Sequence, residues 1–509
     1  MLFSFENIHR HYLNCRRNKR NTHNALRFEA RQELNLLELQ AQLQDRSYRP
    51  TRSVCFLATR PKLREIFAAD FRDRVVHHIL VDYLERIWEP IFIHDSFACR
   101  KGKGVHAGVK RLQRFLRQAT ANGTRTAWYL QLDIRNYFMT IDKAVLFRLL
   151  AAKIRDDDAL WLTRLLVFHD CTEDFILRGN PALLESIPPH KTLFNTPAGK
   201  GLPIGNLNSQ FFANVYLNVL DQFVKHELKC RHYLRYCDDF VMLANSPAQL
   251  PVWKERIEAF LAERLKLELN PARQRLAPVT NGIDFLGYIV RRDYLLVRRR
   301  VVNHLKEKLR DYEQQLVEQR DGVCRYRFDE AVLDRLHATL SSYLGHFKLA
   351  NTQNLWQAIW RKHPFLGVYF QWNEENRKLV RKYKTPKGFE RVQQQYHYFR
   401  WRFPDDVLFF QVGRFYEFYQ LRDASIADLL QLAPMGRNRR GARFGFPVSQ
   451  FNHYLGELLK RRIPVLVIQQ HRQYWTGIQG RGPAWRYEGL NGSRIPDSYR
   501  EWSGIPPLS

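Results

Sequence analysis

The apolar positions of this chain change period several times. In the first 48 residues, ALRFEARQELNLLELQAQLQ predicts a helix, with Leu34, Leu37, Leu39 and Leu43 at mixed short spacings before the turn-like DRSYRP. VVHHILVDYLERIWEPIF predicts a second helix that Pro90 stops, because proline cannot continue the hydrogen-bond ladder. A third starts at Val105: Val105, Val109, Leu112 and Leu116 form one stripe, while Lys110, Arg111, Arg114 and Arg117 face elsewhere. RKGKG before it and the Asn-Gly pair at 122–123 bracket the element.

The period then becomes two. In AWYLQLDI, Leu130, Leu132 and Ile134 point one way and Tyr129, Gln131 and Asp133 the other, so Asp133 sits at the end of a strand with a greasy opposite face. From Ser209 the helical spacing returns, with Phe212, Val215, Val219 and Phe223 along one side. YLRYCDDFVML, residues 233–243, predicts two short apolar strands joined by a tight turn that carries Asp238 and Asp239.

From Arg298 to about Tyr396 the pattern is helical and basic, with RRRVVNHLKEKLRDYEQQL its clearest case. Aromatic residues crowd its later half, among them Trp356, Trp360, Tyr369 and Trp372. A new pattern follows RWRFPDD: the strand-like VLFFQV, a helix near ASIADLLQL, an arginine- and glycine-rich loop GRNRRGARFG, a helix YLGELLKRR and a strand IPVLVIQQ. Residues 403–490 are therefore expected to be a separate small α/β domain, and the Gly-, Pro- and Ser-rich 491–509 a tail.

Composition narrows the class. A chain of 509 residues with 45% hydrophobic residues can build two or three cores. Its seven cysteines are scattered, odd in number and without a CxxC, which points away from a disulfide scaffold or zinc site and towards a reducing cytoplasm. No apolar run approaches the length of a signal peptide or a bilayer span, so a soluble protein without membrane partners is expected. Lysine and arginine number 81 against 51 acidic residues, a formal charge of +30. Such an imbalance suits a polyanionic partner, but does not separate RNA from DNA or enzyme from packaging protein.

Against that basic background the acids stand out. One Asp on a strand says little, but two adjacent carboxylates on a short hairpin repel one another and lose solvation unless a cation or protons compensate them. If the hairpin pairs beside the 127–134 strand, Asp133, Asp238 and Asp239 share one metal-binding centre. Hard oxygen ligands without a Cys/His cluster imply two Mg²⁺ ions, with Mn²⁺ as a substitute, and the chemistry of phosphoryl transfer. Asp133 and Asp238 are assigned to direct coordination, whereas Asp239 could instead orient the site or the primer end.

These residues carry a family resemblance. LDIRNYFMTID, GLPIGNLNSQFFANVYLN, YLRYCDDFVML and GIDFLGYIV stand in the order of reverse-transcriptase palm motifs and the adjoining primer grip. RPKLREI, DRVVHHIL and FIHDSFACRKGKGVHAGVKRLQRF resemble the fingers of bacterial reverse transcriptases, so the likeness covers about residues 45–295. IGNLNSQ resembles the diversity-generating-retroelement group, in which it stands in place of the commoner QGxxxSP. The resemblance implies an α+β right-hand polymerase: N-terminal helices and fingers over 1–126, palm over 127–295, and a helical basic thumb and connector over 296–402.

It also implies roles. Asp133, Asp238 and Asp239 match the catalytic aspartates. Phe138 takes the aromatic place beneath the incoming sugar, where its bulk selects dNTPs, and Lys62 and Arg64 match basic fingers positions that contact either the triphosphate or template phosphate. Ile204 replaces a glutamine that contacts the nascent nucleotide, which implies error-prone copying. Gly205 lets the loop approach the template stack. In the thumb, Arg298, Arg299 and Arg300 are expected on nucleic-acid phosphate.

The C-terminal region has its own likeness. DDVLFFQVGRFYEFYQ and FGFPVSQFNHYLGELLKRRIPVLVIQQ resemble the mismatch-reading N-terminal domain of MutS repair proteins, with Phe415 as the stacking ring and Glu417 as its neighbouring carboxylate. Arg414 replaces the usual acid and no MutS ATPase motif is present, so complete mismatch repair is not implied. Reading distorted RNA–DNA hybrids, binding structured RNA and docking a protein remain open for this domain.

The expected function is RNA-directed DNA synthesis by two-metal nucleotidyl transfer. Its expected partners are an RNA template or structured noncoding RNA, a DNA primer or cDNA, dNTPs and an accessory protein. Sequence diversification is the leading use, defence against phage the alternative, and a non-catalytic RNA- or DNA-binding scaffold the alternative of another class.

Overall fold

A computed structural model describes residues 1–17, 22–59, 63–373, 378–419, 421–438, 441–475 and 477–490. Lys62 and the tail at 491–509 lie outside them. The chain divides into two compact units, Met1–Leu295 and Leu296–Ser509. Among the described residues no helix is long and apolar enough to cross a membrane.

The first unit opens with helices Phe5–Arg16, His23–Glu29 and Gln32–Gln44. The single helix expected over 25–44 is thus two, broken at Ala30–Arg31. Mixed leucine spacing is the cause: Ala25 and Phe28 bury one short stripe and Leu36, Leu39 and Leu43 another, leaving Leu34 and Leu37 exposed. One straight helix has no face that would serve both sets. Helix Phe71–Trp88 follows its Asp70 cap and stops before Pro90, and helix Val105–Ala119 buries Val109, Leu112 and Leu116.

The centre is a four-stranded antiparallel sheet in the order His232–Tyr236, Asp239–Ala244, Trp128–Asp133, Arg275–Pro278. Leu130, Leu132, Phe240 and Met242 share one core with helix Leu207–Gln222. That helix was expected to be amphipathic, but it is buried nearly all round, from Phe211 and Phe212 through Tyr216 to Leu220. Its asparagines are buried too, and Asn214 donates to the Ala98 carbonyl.

A smaller sheet pairs Ser53–Ala58 antiparallel with Arg64–Ala68 and parallel with Phe175–Arg178. Buried Glu65 accepts from the Leu193 amide and from the Thr192 hydroxyl, pinning the long connection that leads to the Gly201–Asn206 loop.

In the second unit, helices Arg299–Leu316, Glu330–Phe347, Gln353–Lys362, Phe365–Tyr369 and Val392–Arg402 confirm the helical pattern. Two hairpins interrupt it, Val317–Arg320 with Val323–Arg327 and Phe370–Asn373 with Lys378–Arg381, neither of which the helical reading anticipated. The first hairpin joins an eight-stranded sheet by pairing Val323–Arg327 with Trp485–Gly489. Residues on both sides of the expected 402/403 division therefore build one sheet. The expected loop GRNRRGARFG is instead mostly strand, with Pro434–Asn438 pairing against Gly441–Pro447. The period-two apolar residues of Val407–Val412 serve two cores: Val407 and Phe409 face one, Leu408 and Phe410 the other.

Helix Phe71–Trp88 carries an acid-sensitive group. Burial holds His77 neutral and pushes its imidazole down to about 3, well below the ordinary value for histidine. The unfolded chain takes up this proton below about pH 6.5 whereas the fold does not, so stability falls as pH drops towards 4. His77→Gln is expected to remove roughly 1.4 kcal/mol per pH unit of that slope, measured by urea denaturation between pH 6 and 4.

Candidate active site

Strand pairing assembles the three acids. Asp133 ends its strand and Asp239 begins the adjacent one, and the two are directly opposed in register. Cys237 and Asp238 form the turn between His232–Tyr236 and Asp239–Ala244, with Cys237 left-handed at φ 57°. The Ile134 amide donates to the Asp238 carbonyl at 3.3 Å, closing the turn onto the end of the central strand. Asp133 is buried and the other two carboxylates are half-buried.

The electrostatics follow from that crowding. Burial first, and then the charge of Asp133, raise the Asp238 carboxyl above the usual range. Asp239 is pushed up to about 7 by burial, and the charges of Asp133 and Asp238 add to the rise while the Gln131 amide opposes it. Gln131 Nε2 reaches Asp239 Oδ1 at 3.0 Å and the Asp284 carbonyl at 3.1 Å. Asp133 has stronger compensation: Asn270 Nδ2 donates to Oδ1 at 3.1 Å and Arg273 Nη1 to Oδ2 at 3.0 Å.

Among the described residues no group of three or more His, Cys, Asp or Glu side chains is arranged to hold a metal ion. The donor set nevertheless fits a hard divalent ion: oxygen ligands only, with two acids raised by burial and mutual repulsion, the condition a cation relieves. Asp133, Asp238 and Asp239 are the residues that could hold it.

A buried guanidinium braces the Cys237–Asp238 turn. Arg235 is fully buried, as is its partner Asp221 on helix Leu207–Gln222, and Nη2 lies 2.6 Å from Asp221 Oδ2. Nε donates to the other Asp221 oxygen at 2.8 Å, Nη1 to the Cys237 carbonyl at 2.9 Å, and Nη2 also to Ser96 Oγ at 3.2 Å. Tyr233 donates its hydroxyl to Asp221 at 2.7 Å. Burial works against the charge on Arg235, but Asp221 outweighs it and holds the guanidinium firmly protonated.

The nucleotide-side residues also come together. Phe138 and Ile204, both half-buried, pack on one cluster with Phe67, Met139 and Leu193. The Leu202 amide donates to the Phe138 carbonyl at 2.8 Å and the Phe67 amide to the Ile204 carbonyl at 2.9 Å. Gly205 has φ +123°, and a Cβ there would lie 2.8 Å from the Phe67 carbonyl oxygen, so only glycine allows this close approach. Exposed Arg64 is near enough for its charge to act on Asp238.

Other expected positions lie in the second unit. Arg299 and Arg300 are exposed in the first turn of their helix, with Arg298 as the residue before it. Phe415 is 37% exposed, as a stacking ring needs, but Glu417 is buried at 3%, accepts from the Tyr419 hydroxyl and lies 3.8 Å from Arg443. That carboxylate is not displayed beside the ring.

Sequence reasoning missed Gln131, Asn270, Arg273 and the Arg235–Asp221 pair as parts of the site. Gln131 had a signal, since it shares a strand face with Asp133. The others act across long sequence separations that no local pattern encodes.

The chain is similar to several known proteins. Residues 58–290 match the family model described as reverse transcriptase (RNA-dependent DNA polymerase), and residues 390–478 match MutS domain I. The chain is 26% identical to Protein YkfC of Escherichia coli (strain K12) over 57% of its length and 80% of that protein. It is 23% identical to the group II intron-encoded protein LtrA of Lactococcus lactis subsp. cremoris over 53% of its length, and spans about half (51%) of LtrA. An apo telomerase structure from Candida tropicalis aligns with a TM-score of 0.36 and 10% identity over 49% of this chain and 55% of that one.

The enzyme class is RNA-directed DNA polymerase, carried by a reverse transcriptase domain at residues 58–290. A MutS domain I follows it in the same chain.

Breaking the brace should be costly. Asp221→Ala leaves a buried guanidinium without its counter-ion, and is expected to lower unfolding free energy by about 3–5 kcal/mol in a denaturant titration.

Proposed function

We propose that the chain extends a primer along an RNA template, adding deoxynucleotides at Asp133, Asp238 and Asp239. The observation that carries this reading is the register of Asp133 opposite Asp239 with Asp238 in the adjoining turn, inside the matched domain. Two bound Mg²⁺ ions would acidify the primer 3′-hydroxyl and neutralise charge on the departing pyrophosphate. Asp133 and Asp238 supply ligand oxygens, and Asp239, held by Gln131, completes the negative field. Phe138 lies beneath the sugar and excludes a 2′-hydroxyl. Arg64 meets the triphosphate from the fingers side. Gly205 keeps its loop close against the strand Arg64–Ala68, where a Cβ would meet the Phe67 carbonyl, and so holds Ile204 beside the nascent pair.

The finer reading is error-prone synthesis of cDNA from a noncoding RNA, within a ribonucleoprotein, for sequence diversification. Ile204 supports it, since an aliphatic side chain offers the nascent pair no hydrogen bond. The charge of +30 supports an extensive nucleic-acid partner. The helical residues 296–402 serve as thumb, with Arg298, Arg299 and Arg300 on the backbone of the bound strands. Phe415 offers the MutS-like domain an exposed ring for stacking on a base.

Primer extension on a homopolymer RNA template tests the centre. Asp238→Asn is expected to reduce kcat by at least about 10²-fold, the scale of losing one preorganised electrostatic group; unchanged extension would refute the assignment. Sequencing of the cDNA tests fidelity. Ile204→Gln should lower misincorporation opposite template adenine by about five-fold, the value of one net hydrogen bond, and equal error rates would remove Ile204 from the account.

A further inference from the structure

Asp133 divides its two oxygens between partners of different kinds. Oδ1 accepts from Asn270, and the Asn270 amide donates to the Asp133 carbonyl at 2.8 Å, so this partner is fixed through the backbone. Oδ2 accepts from Arg273, three residues further on the same short turn Pro271–Arg273. The Arg273 side chain is 50% exposed, whereas that of Asp133 is only 12% exposed. A guanidinium so placed can swing into water on its long stem at small cost, because half-exposed ion pairs contribute little. The Arg235 guanidinium, with no exposure and four protein partners, has no such freedom.

We infer that Arg273 is an exchangeable counter-ion of the catalytic centre: it holds Asp133 Oδ2 while no divalent cation is bound, and yields that oxygen when one arrives. The inference rests on the reading of Asp133 as a metal ligand. Arg273 is a positioning residue in this scheme, acting through Asp133. Its service is to the metal-free protein, in which three carboxylates crowd one end of a sheet. Its charge acts on Asp238 and Asp239 as well as on Asp133, while the charge of Arg64 acts on Asp238. Asn270 holds Oδ1 throughout, so departure of the guanidinium releases Oδ2 alone. The exchange sets a direction that ordinary structural damage does not: removing Arg273 should strengthen metal binding.

The test is Mn²⁺ binding to the full-length protein without primer or nucleotide, followed by electron paramagnetic resonance. Arg273→Gln is expected to bind Mn²⁺ about five-fold more tightly than the wild type, the equivalent of losing a competing surface ion pair. Arg64→Gln, which removes a positive charge near Asp238 without contacting Asp133, is expected to tighten binding less. Equal or weaker binding by Arg273→Gln overturns the proposal, as does tightening by Arg64→Gln of the same size, which would mean general charge rather than competition for one oxygen. Misfolding weakens binding and so cannot imitate the expected result. Should Arg273→Gln fail to fold, Arg273→Lys provides the second variant: its single ammonium is a poorer match to the carboxylate, and a failure to tighten at all overturns the proposal. Asp133→Asn separates the two readings. Loss of Mn²⁺ affinity is expected, and retained affinity removes Asp133 as a ligand and with it the ground on which the exchange stands.

Discussion

The buried pair of Arg235 and Asp221 is the constraint on which the turn carrying Asp238 depends. A guanidinium taken wholly out of water is tolerable only if its donors are met, and here they meet Asp221, Ser96, Asn214 and the Cys237 carbonyl. The Cys237 bond is the consequential one, because the next residue is Asp238. Helix Leu207–Gln222 supplies Asp221 and Asn214 and is itself buried on nearly every side, so the turn is tied to a deeply buried element. Backbone bonds from Arg235 to Asp95 and from Phe97 to Arg235 tie the same strand to the segment before helix Val105–Ala119.

With the turn fixed, the acids can be placed at their mutual expense. Antiparallel pairing puts Asp133 and Asp239 opposite one another whatever their charges prefer, and burial first, then the neighbouring acids, raises the Asp238 and Asp239 carboxyls. Polar neighbours moderate this crowding unequally: Gln131 for Asp239, and Asn270 and Arg273 for Asp133. Phe138 and Ile204 share one small apolar cluster, and the strand Arg64–Ala68 hydrogen-bonds to the loop that carries Ile204. Both the acids and this cluster are assembled from segments remote in sequence.

Much of this was legible in the sequence because it follows from periodicity. The change from period 3.6 to period 2 marked the strand ending at Asp133, and the apolar flanks of Cys237–Asp238 marked the hairpin. The helix stop before Pro90 followed from proline chemistry. Where reading failed, the deciding forces were not local. The break at Ala30–Arg31 answers to two separate burial stripes, and the hairpin Val317–Arg327 exists because strand Ile478–Gly489, far away in sequence, offers it an edge. The MutS resemblance put Glu417 beside Phe415 as a displayed carboxylate, but Tyr419 and Arg443 close over it. Arg235 sits in an otherwise apolar strand and could have been singled out, though its partner could not.

The eight-stranded sheet bears on how such a chain can be taken apart or recombined. Its outer strands at one end come from residues 317–327, ahead of the whole stretch that matches MutS domain I. A cut near residue 403 would strip Val323–Arg327 of its neighbour and leave a row of unpaired backbone donors and acceptors, the kind of raw edge that invites aggregation. The C-terminal module is therefore woven into its host rather than strung behind it, and a fusion or truncation that respects the sequence match alone would sever the weave.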